Sequence, residues 1–135
     1  MNRRESRETV FALLYETEFH TGEDICAVYE ASRENREFEE NKYIKNAFFG
    51  VCDKKEEIDK VILSHAVGWK TERMQKISIS IMRLAVYEML YMEDVPATVS
   101  INEAVELAKK FDDDNARPFI NGILNSVAKS LSKDE

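Results

Sequence analysis

Ser100-Ile101-Asn102-Glu103-Ala104-Val105-Glu106-Leu107-Ala108-Lys109-Lys110-Phe111 is the stretch whose reading decides the fold class. Ile101, Ala104, Val105 and Ala108 recur at intervals of three and four, which places them on one side of an α-helix. Ser100 followed by Glu103 has the form of a capping box: the serine accepts a free backbone N–H and the glutamate reaches back to the serine's own N–H. Lys109 and Lys110 close the stretch where the helix dipole is negative. The spacing therefore predicts a helix over 101–110, capped by Ser100. Asp112, Asp113, Asp114 and Asn115 follow as a polar loop with helix-capping duties. A last helix is expected from about Arg117, with Pro118 in its tolerant first turn and Phe119, Ile123, Leu124 and Val127 on its inner face.

The same periodicity continues towards the N-terminus. Ile77 to Met92 is the most apolar run, but it contains Arg83 and Glu88. It is expected as a core helix from about Ser78 to Met92, stopped by Pro96, and not as a membrane span. Ile44, Phe48, Val51, Ile58 and Ile62 predict one long helix from about Glu39 to Ala66. Gly50 inside it costs helix stability and marks close packing by a neighbour. Thr71 is expected to cap a short helix reaching Lys76. Ile25 to about Arg33 forms a short helix after the Thr21-Gly22-Glu23-Asp24 break. Val10, Phe11 and Leu14 define a first helix from near Arg3 to Phe19. The count is about seven helices with no strand signal, and no linker divides the 135 residues.

Composition narrows the function. With 44 % apolar and 33 % charged residues, the chain has both a core and a well-solvated surface. A net charge of −7 excludes general attraction to nucleic acid, so any RNA contact must use a local patch or a basic partner. Cys26 and Cys52 form no C-x-x-C pair and are expected as small core residues in a reducing compartment. No apolar run follows the N-terminus, so no signal peptide is expected, and the location is expected to be cytoplasmic.

Catalytic chemistry finds little support. His20 and His65 stand in no E-x-x-H or H-E-x-x-H pattern, no glycine-rich phosphate loop occurs, and no serine sits in a nucleophile elbow. Neither an enzyme nor a metal or other cofactor is expected. Glu34, Glu37, Glu39 and Glu40 read as a solvated face. Arg3, Arg4 and Arg7 are the best functional candidates from physics alone. Arg3 and Arg7 share a helix face, Arg4 lies one turn from Arg7, and cations at a helix start oppose the dipole. Glu5 and Glu8 dilute their charge.

Two segments resemble the NusB family. Arg4 to Tyr15, R-E-S-R-E-T-V-F-A-L-L-Y, is similar to its N-terminal signature. The block Ser100 to Phe111 followed by Phe119-Ile120-Asn121-Gly122-Ile123-Leu124 resembles its second signature, and Arg83 to Glu88 between them also fits. The resemblance implies an all-α fold of two packed helical bundles, here about 1–70 and about 71–135 of one domain. It implies a transcription antitermination factor that binds boxA RNA of ribosomal-operon transcripts. It further implies the partner NusE, a small-subunit ribosomal protein, within an RNA polymerase complex. The family's arginine-rich start implies RNA contact by Arg3, Arg4 and Arg7, and the F-I-N-G helix start brings in Phe119 and Asn121, with Tyr15 beside them. Arginine forks suit phosphates and base edges, and aromatic rings suit splayed bases. Gly122 is expected to serve close helix packing. Arg83, Tyr87 and Glu88 are the expected protein-partner residues. Glu5, Ser6 and Asp112 depart from the family pattern and lower the local positive charge. A helical adaptor that never touches RNA is the competing expectation, and the pattern does not decide between monomer and dimer.

Overall fold

The most apolar stretch becomes the helix on which the others converge. In a computed structural model, which describes residues 1–66, 68 and 74–132, α5 (Lys76–Tyr91) is buried continuously from Ser78 to Glu88. It packs against α1 (Arg3–Thr17), α3 (Lys42–Asp53), α4 (Lys55–His65), α6 (Ala97–Phe111) and α7 (Ala116–Leu131). The remaining helix, α2 (Ile25–Arg36), lies on α1. A helix apolar all round must be surrounded, and α5 is. Among the described residues there are seven helices and no strand, so the all-α expectation holds. One buried cluster runs from Val10 to Val127, with Tyr29, Phe48, Ile62, Met82 and Leu124 among its largest members.

Three boundaries differ from the sequence reading, each for a local reason. The long helix expected over 39–66 is two helices, broken at Lys54 (φ −101°, ψ 14°). No breaker residue marks the spot. The Lys54 N–H still reaches the Gly50 carbonyl at 2.9 Å, and the Ile58 N–H reaches the Lys54 carbonyl at 2.9 Å. The bend leaves Lys54's own backbone groups paired, which is why periodicity did not reveal it. The short helix expected from Thr71 falls largely outside the described residues.

The second difference is at α6, which begins at Ala97, one turn earlier than expected. Pro96 does not merely end the preceding segment; its carbonyl accepts from the N–H groups of Val99 and Ser100 and opens the helix. Ser100 and Glu103 are therefore inside α6, and their side chains are released for other partners. The capping box is instead at Asn2: its side chain accepts from the Glu5 N–H at 2.8 Å, and its own N–H donates to the Glu5 carboxylate at 3.1 Å. Glu5 caps α1 as well as diluting the arginines.

The third difference is the end of α2, which runs to Arg36 and closes on Glu37 in the left-handed region (φ 51°), a place glycine usually fills. The expected capping loop before α7 is present: the Asp113 carboxylate accepts from the Ala116 N–H at 3.0 Å. Gly50 packs closely, as expected, since a Cβ there would fall inside the Tyr87 ring. Gly122 does not; its Cβ position is open. Cys52 is half-buried, and burial pushes its thiol up to about 11, while Cys26 is exposed rather than in the core.

Candidate nucleic-acid interface

The fold sorts the N-terminal arginines by environment. α1 lies against α3 and α5, so its inward face carries Ser6, Arg7, Val10 and Leu13 into the interior. Arg7 has 6 % of its side chain exposed. Its Nε and Nη2 donate to the two oxygens of Glu88 at 2.8 and 3.2 Å. The Tyr43 hydroxyl also donates to Glu88, and the Ser100 hydroxyl donates to it at 2.8 Å. This knot joins α1, α3, α5 and α6. Burial works against the Arg7 charge, but the hydrogen bond and charge of Glu88 outweigh it and hold the guanidinium protonated. Burial, with the neighbouring Glu88 carboxylate, pushes the Tyr43 hydroxyl far above its usual range.

Arg7 is thus held by the fold: it still lines two surface hollows beside Arg4, but its fork is taken by Glu88, so its structural role comes before the expected RNA contact. The expected protein-partner residues need a larger correction. Glu88 is 1 % exposed and belongs to the knot just described. Arg83 is buried, forked onto Asp59 at 2.8 and 3.0 Å and bonded to Glu18 at 3.1 Å. Tyr87 is buried with its hydroxyl donating to Asn46 at 2.6 Å. All three hold helices together. Charged residues in an apolar helix invite a functional reading; burial with full pairing explains these instead.

Arg3 and Arg4 remain at the surface. The Arg3 guanidinium lies 4.4 Å over the Tyr43 ring. Arg4 has 61 % of its side chain exposed and is forked onto Glu103 of α6, Nε to Oε1 at 3.0 Å and Nη2 to Oε2 at 2.7 Å. The Glu103 bond raises the Arg4 pKa, and the Arg4 bond in turn holds the Glu103 carboxyl below its usual range. Three hollows meet at this pair. The widest, about 710 Å³, runs between α6 and α7 and brings together Arg4, Asn102, Arg117 and Asn121 with the carboxylates of Glu103, Glu106 and Asp114. Asn121 is exposed, its side-chain oxygen accepting a local bond from the Asn125 amide at 3.0 Å. The second, between α1 and α6, adds Lys109 and Lys110. The third carries Arg3.

Next to Lys110 an aromatic strip begins. Phe111, 40 % exposed, lies 5.1 Å from Phe11; Tyr15 lies 6.2 Å from Phe11 and 5.0 Å from Phe19, which is 57 % exposed. Lys110 Nζ sits 5.4 Å from the Phe111 ring and Lys76 Nζ 4.6 Å from the Phe19 ring. The structure thus places Tyr15 in a row of rings with two lysines. Half-buried Phe119 lines a separate hollow with Met74, Gln75, Ser78 and Asn115, so it is parted from Asn121 by the body of α7. Reasoning from the sequence missed Phe19, Phe111, Arg117 and the lysines. The signal for part of this was present: Phe11, Tyr15 and Phe19 are four apart and must share a face.

Among the described residues no group of three or more His, Cys, Asp or Glu is placed to hold a metal ion. None of the described helices is long and apolar enough to cross a membrane. What the surface offers is arginine forks, amides and rings along one side of α1, a set suited to a polyanion with accessible bases.

Residues 4–129 match the NusB family model. The chain belongs to the NusB family. The transcription antitermination protein NusB of Clostridium perfringens is 41 % identical to it, over 97 % of this chain and 99 % of that protein. Among solved structures, T. maritima NusB superposes with a TM-score of 0.85 at 32 % identity, covering 96 % of this chain and 92 % of that one. A chain in a crystal structure of NusB and NusE in complex with double-stranded RNA superposes with a TM-score of 0.84 at 25 % identity, covering 95 % and 96 %. The family is one of transcription factors, in keeping with the expectation of a non-catalytic protein.

Proposed function

We propose that this NusB-family protein is an RNA-binding antitermination factor that engages boxA RNA of ribosomal-operon transcripts. In this reading it acts with the small ribosomal protein NusE, in the cytoplasm, as part of an RNA polymerase complex. The observation that carries the reading is the groove in which Arg4, Arg117, Asn102 and Asn121 converge and which Lys110 and Phe111 continue onto the aromatic strip. Arg4 and Arg117 supply phosphate contacts, Asn121 a base-edge contact, and Phe111, Tyr15 and Phe19 surfaces on which bases stack. Arg3 extends the track, and Arg7 acts as a positioning residue that fixes the pitch of α1. Phe119 is assigned a separate contact at its own hollow. The similar structure solved with NusE and RNA supports the pairing of the two partners.

The chain carries 26 acidic residues against 19 Lys and Arg, so a basic partner is favoured and binding by the free protein is expected to be weak. Titration of labelled boxA RNA by fluorescence anisotropy, with and without NusE, tests this. NusE is expected to raise the affinity, and Arg4→Ala to lower it in both settings. No effect of NusE, together with no effect of Arg4→Ala, would leave the helical-adaptor reading in its place.

A further inference from the structure

Three of the cations that flank the groove already hold a carboxylate of this chain. Arg4 is forked onto Glu103, Lys110 Nζ lies 2.8 Å from Glu8, and Arg117 Nη2 lies 3.3 Å from Asp114. The Arg4 pair is the most developed. The side-on fork, Nε and Nη2, is occupied by the two oxygens of one glutamate in the planar arrangement that a phosphate would use there, and the Nη1 edge is left to the solvent side. Glu103 is held in place: its side chain is only 15 % exposed, and Arg7 Nη1 stands 3.8 Å from its other side. From this geometry we infer that Glu103 is an internal competitor of RNA, a carboxylate that occupies the phosphate-binding fork of Arg4 and sets the threshold for RNA entry. The inference rests on the RNA-binding reading given above.

A phosphate gains the side-on fork of Arg4 only by displacing Glu103; one that leaves Glu103 in place is limited to the Nη1 edge, beside a carboxylate that repels it. The displaced carboxylate keeps a single distant cation and little water, so the exchange carries a cost that bulk salt bridges do not. A polyanion that offers phosphates alone meets this cost with little in return. An RNA that also places bases on the accessible rings of Phe111, Tyr15 and Phe19, backed by buried Phe11, and an edge against Asn121 offsets it. Glu103 therefore acts on discrimination more than on maximum affinity, because it penalises electrostatic binding, which is the part that all RNAs share. Glu8 does the same for Lys110 on a smaller scale, since the Glu8 carboxylate is more exposed than that of Glu103.

The test compares wild type with Glu103→Gln, an isosteric change that keeps an acceptor for Arg4 and removes the charge. Anisotropy titrations, with saturating NusE present throughout, use boxA RNA and a scrambled RNA of equal length. Expected is a gain of about two- to five-fold in affinity for both, the range an exposed ion pair contributes. The gain is larger for the scrambled RNA, so the preference for boxA falls. The gain disappears in an Arg4→Ala background, as a double-mutant cycle requires for a direct pair. Glu34→Gln on α2, which alters net charge equally outside the groove, leaves affinity unchanged, and Glu8→Gln gives a smaller gain of the same sign. Equal or weaker binding by Glu103→Gln with an unchanged melting curve overturns the inference, as does a gain that survives in Arg4→Ala. If wild type binds neither RNA, or Arg4→Ala does not weaken binding, the RNA-binding reading itself has failed, and that outcome is separate.

Discussion

Arg4 and Arg7 stand one turn apart on the same helix, and each is forked onto a glutamate, yet they belong to different parts of the protein's work. Arg7 meets Glu88 in the interior, with Tyr43 and Ser100 completing the acceptor sites, and four helices depend on the pairing. Arg4 meets Glu103 at the surface, where three hollows open and water or a ligand can take either partner. The chemistry of the pair is the same and its surroundings decide its role. In the interior an unpaired charge has no alternative partner, so the pair is obligatory; at the rim each charge can exchange, so the pair is a competitor. The Arg83–Asp59–Glu18 cluster follows the interior pattern on the opposite side of α5 and ties α1 and α4 to it.

The strongest way to break the comparison is at Arg7. Arg7→Ala leaves the Glu88 carboxylate buried with only two hydroxyl donors. The expected loss is about 3–5 kcal/mol of unfolding free energy, the range for removing one partner of a buried ion pair. That is a large share of a stability that for domains of this kind is about 5–15 kcal/mol. Urea denaturation followed by circular dichroism measures it. A loss as small as that of an exposed substitution would mean that the knot is open to water and the contrast with Arg4 is false.

The knot can be probed next without touching a charge. Gly50 lies where α3 meets Tyr87 of α5, on the same helix pair that Tyr43 and Glu88 join. In Gly50→Ala the helix gains up to about 1 kcal/mol of propensity. The methyl group, however, displaces the Tyr87 ring and its bond to Asn46, and overpacking of this kind costs about 1–3 kcal/mol. A net destabilisation of about 1–2 kcal/mol is expected. Tyr87→Phe does not rescue it, because the ring itself is in the way. A smaller change, Ser100→Ala, removes one donor to Glu88 and is expected to cost about 1 kcal/mol. Its signature is non-additivity with Arg7→Ala in a double-mutant cycle, since both act on one carboxylate.

These same residues explain what the sequence could and could not disclose. Helices were legible because 3.6-residue periodicity is a local property, and the all-α class followed from it. The break at Lys54 was not, because hydrogen bonding at Lys54 continues through it and no glycine or proline marks it. Ser100 and Glu103 made a persuasive capping box, but the true start of α6 lies one turn earlier, at the Pro96 carbonyl, and tertiary partners claimed both side chains. The distinction between Arg4 and Arg7 was hidden for the same reason. Which of two neighbouring arginines is buried depends on where α3 and α5 sit, and Tyr43, Glu88 and Ser100 lie 36 to 93 residues further along the chain. The placement of Arg83, Tyr87 and Glu88 on a partner surface failed likewise: polar atoms in an apolar helix could face a partner or a buried counter-charge, and only the fold supplies the counter-charge. The aromatic strip was half visible in the spacing of Phe11, Tyr15 and Phe19; Phe111 joins it only through the packing of α6 against α1.

The smallest effect on stability is expected at Arg4, and there the comparison is sharpest. Arg4→Ala breaks a bidentate pair of good geometry, which by distance alone resembles the one at Arg7. Yet its side chain is mostly in water, and the Glu103 it leaves behind keeps Arg7 at 3.8 Å. The unfolding midpoint is therefore expected to fall by far less than for Arg7→Ala, the small loss being the stranding of the confined Glu103 carboxylate. The cost appears in RNA binding instead. The slope of log affinity against log salt is expected to fall by about one, the value for a single lost phosphate contact. Arg7→Ala, measured under conditions where it remains folded, is expected to leave that slope near the wild-type value, because its fork is taken by Glu88 and only its edge borders the hollows beside Arg4. A common shift in slope for both variants would place both arginines on the RNA. A common shift in stability would place both in the core. Only the crossed result, stability lost at Arg7 and salt dependence lost at Arg4, agrees with one helix carrying a structural charge on its inner face and a binding charge on its outer one.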